Sequence, residues 1–340
     1  LITFVVSVLV FGLLIFIHEF GHFLVAKRVG IKVLEFALGM GPKLFGFQKG
    51  ETLYSLRLFP IGGFVRMAGM EPQDLDDERG FNKKSVWQRM AVISAGPAMN
   101  LVLAVFLFAS IFAFIGLPRP EPIIGEVIPG HPAAAAGLQP GDRILAINGE
   151  KVGSWAEMVA LIQKHPGQPL TLEVQRGQER LKIKLVAESR RTDDGRELGF
   201  IGIGQALGRQ NPLEALKNGL LQTIGIVFFW FKALALMISR KMAPDFAGPI
   251  GITQMIGEAT RSGLTNLLSL AGALSANLGL INLLPIPALD GSRLLFLLLE
   301  AVRGKPIDPA RENFIHLIGF AVLIFLAIVI AYQDLLRLGM

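Results

Sequence analysis

Two histidines and a glutamate stand together at His18-Glu19-Phe20-Gly21-His22. On a helix, residues i and i+4 lie one turn apart on one face, so both imidazoles can reach a single metal ion. Glu19 sits beside them, where it can take a proton from a water held on that metal. The alternative is a polar face buried against neighbouring helices. Location favours the metal. His18, Glu19 and His22 are the only ionisable residues in Leu1–Ala26, and such groups inside a membrane helix are costly and mark function.

Zinc hydrolases built on two histidines take a carboxylate as third ligand and keep the fourth position for water. In the other apolar segments the carboxylate that answers this need is Asp290, within Asn282-Leu283-Leu284-Pro285-Ile286-Pro287-Ala288-Leu289-Asp290-Gly291. Taken alone, Asp290-Gly291 reads equally well as a turn closing a helix. Beside a two-histidine site that lacks a ligand, the metal role is the better reading.

These groups need elements to hold them, and the composition says which. The 340 residues are 52% hydrophobic and only 18% charged, against about a quarter charged in soluble chains. The deficit is concentrated in Leu1–Ala26, Met90–Pro118, Leu264–Leu289 and Leu317–Ala331, each covering most or all of the roughly 20 residues a span needs. A polytopic α-helical membrane protein of about four spans follows. The first stretch lacks a basic leader and a small-residue cleavage site, so it reads as a retained span. Lysines and arginines crowd Lys27–Arg89 and the loop after Asp290, which places both on the cytoplasmic side. The net charge of +6 is spread out with no aromatic platform, so nucleic acid is not an expected partner. With no cysteine in the chain, disulfides and thiolate zinc sites are excluded.

Between the spans, short segments rich in β-formers and separated by Gly and Pro predict strands at Val33–Phe36, Lys43–Phe47, Thr52–Leu58 and Gly62–Met67. Leu75–Lys84, acidic then basic, reads as solvated. After span two comes an αβ module. It has a strand at Ile123–Ile128, a short helix at Pro132–Ala136 and a strand at Arg143–Ile147 with an Asn148-Gly149 turn. Ser154 caps a further helix, and a hairpin turns around Gly177. Leu213–Ser239 is apolar enough to span yet carries Lys217 and Lys232. If it spanned, Asp290 would fall at the opposite membrane face from His18, so an interfacial or re-entrant helix is expected. The expected divisions are 1–118, 119–204, 205–263 and 264–340.

HExxH in the first span with NxxPxPxLDG in a later one resembles the site-2 protease family, intramembrane zinc metalloproteases. A PDZ-like module between spans two and three makes the chain similar to the bacterial RseP group within that family. Pro132–Leu138, Gly141-Asp142-Arg143-Ile144 and Ile147-Asn148-Gly149 carry the PDZ likeness. The best-known RseP proteins have two tandem PDZ domains, and this chain has room for one. The resemblance covers essentially the whole chain and implies Zn2+ held by His18, His22 and Asp290, with Glu19 as base. It implies single-span membrane protein substrates such as anti-sigma factors already cut by a site-1-type protease, or signal-peptide remnants. It also implies a multi-pass protein of the bacterial inner membrane, in contact with the lipid bilayer, its PDZ domain extracytoplasmic and its active site toward the cytoplasm.

An extended substrate in a membrane needs new backbone partners, and an exposed strand edge can supply them. The resemblance implies a β-loop entering the membrane here, which puts Gly63 and Phe64 among substrate contacts. A plain cytoplasmic hairpin is the alternative. Asn282 and Pro287 belong to a backbone opened by two prolines, which can hold a substrate near the metal; a packing asparagine is the alternative. Gly96-Pro97-Ala98-Met99-Asn100 resembles a GxxxN element of the family, with close helix packing as an equal reading. Leu198, Gly199, Phe200 and Ile201 resemble a PDZ carboxylate-binding loop and its strand; the module then either reads a peptide end or acts as a steric gate. His131, His165 and His316 have no ligand-like companion nearby in sequence and read as surface or interface residues. The rival to an enzyme is a non-catalytic PDZ-bearing receptor or scaffold with a structural metal site.

Overall fold

The computed structural model describes residues 1–70, 76–192, 195–239, 241, 247–305 and 307–337; Leu75, at the head of the segment expected to be solvated, lies outside them. The chain forms two compact units, one of Leu1–Ile111 with Glu214–Met340, the other of Phe112–Leu213.

In the first unit, α1 (Ile2–Arg28) is apolar throughout and ends on Lys27 and Arg28, cations that suit the negative end of a helix dipole. The next 35 residues form two long bent strands, β1 (Val33–Lys49) and β2 (Thr52–Met67), which cover the four short strands expected. Residues 35–38 pair on one side with 63–66 (Glu35 with Arg66, Leu38 with Gly63) and on the other with 53–56 (Glu35 with Leu53, Leu38 with Leu56). Residues 43–49 then pair with 52–57. Segment 63–67 is thereby an outer row of the sheet. Ala26, Ile31, Val33, Met67 and Val92 bury one face of it against the helices.

Helix α2 (Val86–Ser110) opens with a capping box, in which Ser85 and Gln88 satisfy each other's backbone amides, an arrangement that fixes where a helix begins. A π-helical turn, Ile111–Ile115, follows. Close approach of α1 to α2 depends on Gly21, where a Cβ would collide with the carbonyl of Ala95. Packing of this kind is how membrane helices gain contact without a hydrophobic driving force.

After the inserted unit come α5 (Pro212–Ile238), α6 (Pro249–Ser262), α7 (Leu264–Leu283), α8 (Asp290–Arg303) and α9 (Pro309–Arg337). Among the described residues, five helices can cross a membrane by length and composition: α1, α2 with its π turn, α5, α7 and α9. Of the Leu213–Ser239 segment, all but Ser239 lies in the single helix α5. Asp290 also differs from expectation, for it opens α8 instead of ending the third span. The cause is the pair of prolines. Pro285 forces Leu284 into an extended conformation (φ −69°, ψ 143°), the usual effect on a residue before proline. Helix α7 stops there.

The second unit is an α+β module. Strands β3 (Leu117–Pro118), β4 (Ile124–Val127), β5 (Arg143–Ile147), β6 (Glu150–Lys151), β7 (Pro169–Arg176) and β8 (Glu179–Val186) precede β9 (Glu188–Arg191), β10 (Glu197–Phe200), β11 (Ile203–Gln205) and β12 (Leu207–Gly208). The main sheet has the order β6-β5-β7-β8. Helices α3 (Pro132–Ala135) and α4 (Trp155–Gln163) complete it, and Ser154 caps α4 as expected. Ile144, Ile147, Met158, Leu170, Leu172 and Ile201 are fully buried in its core. The unit is wider than 119–204 because β3 pairs with β12 and the amide of Gln210 reaches the carbonyl of Phe112, a closing stem too short to show as periodicity.

Candidate metal centre

Helix α1 carries His18 and His22 on one face, with Nε2 atoms 3.2 Å apart. Asp290 arrives from the first turn of α8, its Oδ2 lying 3.1 Å from His18 Nε2 and 3.3 Å from His22 Nε2. Bonds of 2.0–2.1 Å to a tetrahedral zinc separate ligand atoms by about 3.3 Å, so the spacing fits. Chemistry agrees. Asp290 Oδ2 is buried with no hydrogen-bond donor, a costly state for a carboxylate unless a cation meets it.

Helix α2 orients both rings. His22 donates from Nδ1 to the carbonyl of Val92 at 2.8 Å, which leaves its Nε2 lone pair facing inward. Gly96 lies against the same ring, where a Cβ would collide with it. Asn100, fully buried, places its amide 3.2 Å from His18 Nδ1 while its Oδ1 lacks a partner. Amide orientation is set by the network around it. With Oδ1 turned to His18, the ring donates from Nδ1, Nε2 is free for metal, and the orphaned oxygen is satisfied. Within the GxxxN element, Gly96 gives close packing against the His22 ring and Asn100 meets the ring of His18.

A cavity of about 700 Å³ is lined by His18, Glu19, His22, Asp290 and Asn282, together with 63–67 of the sheet. Gly63 and Phe64 face it. Asn282 lines it too, donating its side-chain N–H to the carbonyl of Leu278. Pro287 does not. It turns to the other side of its loop, into an apolar groove with Ile315, Ile318 and Gly319, because a Cβ-free Gly319 lets α9 approach that ring. The four PDZ residues split: Leu198–Phe200 pair with β9 in β10, and Ile201 is core. Gly199 is pressed against the last turn of α4, where a Cβ would collide with the carbonyl of Ile162.

One polar cluster in the cavity wall has no sequence motif. Glu35, 6% exposed, accepts from Ser55 Oγ at 2.6 Å and Arg57 Nη2 at 2.7 Å. Burial opposes its ionisation, but these two donors outweigh burial and hold the carboxyl below the usual range. Arg57 also stacks on Phe64, 4.8 Å from the ring centre. The residues lie 20 and 22 positions apart, and only the strand pairing of 35–38 with 53–56 brings them together.

Comparison with known proteins fits this geometry. The model of "Peptidase family M50" matches residues 6–326. "Zinc metalloprotease RasP" of Geobacillus kaustophilus is 34% identical over 411 residues, covering 96% of each chain. "Regulator of sigma-W protease RasP" of Bacillus subtilis is 34% identical over 417 residues, covering 99% of each. Among solved structures, the PDZ domain of an SdrC-like protein from Listeria monocytogenes is 21% identical and covers 26% of this chain and 90% of its own, with a TM-score of 0.22. A family match that runs nearly end to end, with full-length relatives at this identity, makes the chain a member of peptidase family M50 and a zinc metalloprotease.

Proposed function

We propose that His18, His22 and Asp290 hold the zinc, that Glu19 moves the protons, and that the chain cuts single-span membrane proteins near the cytoplasmic side of a bacterial inner membrane. The observation that carries this reading is the convergence of three ligand atoms, 3.1–3.3 Å apart, in a cavity that Glu19 shares. Bound there, zinc supplies a Lewis acid for the scissile carbonyl and acidifies water. Glu19 accepts a proton as the water oxygen bonds to the carbonyl carbon. It returns that proton to the amide nitrogen as the C–N bond breaks. Asn100 and the Val92 carbonyl keep both imidazoles aimed while this happens.

The substrate must unwind to reach these groups, and its freed amides need partners. Segment 63–67 supports strand addition, because no other described strand pairs with its outer side. Asn282 offers a carboxamide across the same cavity. A relative named for regulating sigma-W directs us to anti-sigma factors first cut by a site-1-type protease, with signal-peptide remnants as a second class. For the extracytoplasmic PDZ-like unit we favour a steric gate, since Gly199 closes the space against α4.

The site itself supports an interfacial α5. With α5 crossing, α7 would run the other way and carry Asp290 to the opposite membrane face from His18, whereas Asp290 Oδ2 lies 3.1 Å from His18 Nε2.

The test is cleavage of a tagged single-span substrate by protein reconstituted in liposomes. Wild type is expected to release a fragment cut inside the span, and Glu19→Gln to release it about 10²- to 10⁴-fold more slowly. Cleavage by Glu19→Gln at the wild-type rate sinks the assignment of the base.

A further inference from the structure

Between Pro287 and α8 the chain makes a turn that its own residues do not favour. Ala288 sits at φ 76°, a left-handed conformation that L side chains rarely adopt. Leu289 then returns to extended backbone (φ −99°, ψ 161°), and Asp290 begins α8. The direction of the Asp290 carboxylate therefore depends on a strained residue two positions upstream, and such strain persists only where surroundings over-determine it.

One side chain outside the loop meets that residue. His316 of α9 accepts the Ala288 N–H at Nδ1, 3.1 Å away. Because Nδ1 accepts, a neutral ring carries its hydrogen on Nε2. That Nε2 is buried with no hydrogen-bond partner, and Glu312 Oε1 lies 3.7 Å away. Phe296, on α8 itself, meets the ring edge-to-face at 5.9 Å. The imidazole is thus fixed between the turn that precedes Asp290 and the helix that Asp290 opens. Among the described residues, no hydrogen bond or ion pair joins it to His18, His22 or Asp290.

We infer that His316 is a positioning residue of the zinc centre: by accepting the Ala288 amide it holds the turn that aims Asp290 at the two histidines. The inference rests on Asp290 being a zinc ligand, as proposed above. It departs from the expectation that His316 is a surface or interface residue without a role in the site.

The test uses full-length detergent-purified protein and compares His316→Ala, His316→Asn and His316→Leu, with Asp290→Ala as control. Zinc affinity is measured by competition with a chelator, and hydrogen exchange of the peptide containing Ala288 is measured in the metal-free protein. Asparagine places an oxygen close to where Nδ1 stands, and leucine fills space without an acceptor. The expected result is a loss of zinc affinity of about 10- to 100-fold for alanine and leucine, the usual range for an outer-shell partner. Asparagine should return to within about threefold of wild type, and the Ala288 amide should exchange faster only in the alanine and leucine variants. If Asp290→Ala loses zinc while His316→Ala binds as tightly as wild type, the inference is overturned. If leucine rescues as well as asparagine, the ring serves packing alone and the inference is equally overturned. Should Asp290→Ala itself keep wild-type affinity, the ligand assignment fails first, and that outcome is distinct from the other two.

Discussion

His18 and His22 come to the candidate metal centre on one unbroken helix, whereas Asp290 comes to it from the first turn of a helix that restarts after a proline-broken loop. On the histidine side, helical geometry sets the spacing, and a single neighbour, α2, supplies both orienting partners through Val92 and Asn100. On the aspartate side, two prolines stop α7, a left-handed Ala288 turns the chain, and α8 restarts it. The far end of α8 is then tied to α2 by a two-pronged pair between Arg89 and Glu300. The first arrangement is local and repeats wherever the motif folds as a helix. The second is assembled from contacts 28 to 211 residues apart in sequence, so it is the half that distant substitutions should disturb.

Substitutions can break this contrast, and the largest effect belongs to the chemistry both halves serve. Glu19→Gln is expected to slow cleavage by about 10²- to 10⁴-fold, the usual worth of a general base, while zinc content stays at the wild-type level by elemental analysis. Next is Asn100→Leu, which removes the partner of His18 without touching the metal. Zinc affinity should weaken by about 10- to 100-fold, read by chelator competition. An unchanged affinity would make Asn100 a packing residue. On the aspartate side, Glu300→Ala leaves Arg89 without its carboxylate and should cost about 3 kcal/mol of stability, seen as a lower melting temperature in detergent. Zinc affinity should fall only a fewfold, because the pair acts at the opposite end of α8.

The smallest effect lies in the inserted unit, and it sharpens the contrast by leaving the centre untouched. Asp142 is 1% exposed. Burial opposes its ionisation, but Arg176 and the Gln139 amide outweigh it and hold the carboxyl below the usual range. A depressed folded-state value means the stabilisation is present above the unfolded value of about 3.9 and is lost as pH falls through the folded one. Asp142→Asn should cost about 2 kcal/mol at pH 7. The difference from wild type should shrink below about pH 4, measured by hydrogen exchange of 169–176. Zinc content should not change.

How much of this could be read from the sequence follows the same division. HExxH points to two candidate ligands because positions i and i+4 of a helix share one face. Asp290 was found by need, as the carboxylate missing from a two-histidine site, and its motif gave no sign that it opens a helix. Pro287 was read as a substrate contact because it stands beside Asn282, yet the side of the loop it faces depends on Gly319, 32 residues later. Glu35, Ser55 and Arg57 left no signal, since their proximity is a product of strand register. His316 has one: it is an ionisable residue that borders the apolar stretch Leu317–Ala331.

The central claim is that two histidines and Asp290 share one zinc while Glu19 stands beside it. The measurement that tests it most directly is zinc stoichiometry of the purified protein, comparing wild type with His22→Ala, Asp290→Ala and Glu19→Gln. About one zinc per chain is predicted for wild type and Glu19→Gln, with little or none for the two ligand variants. Zinc retained in Asp290→Ala, or lost in Glu19→Gln with the fold intact, would contradict the account.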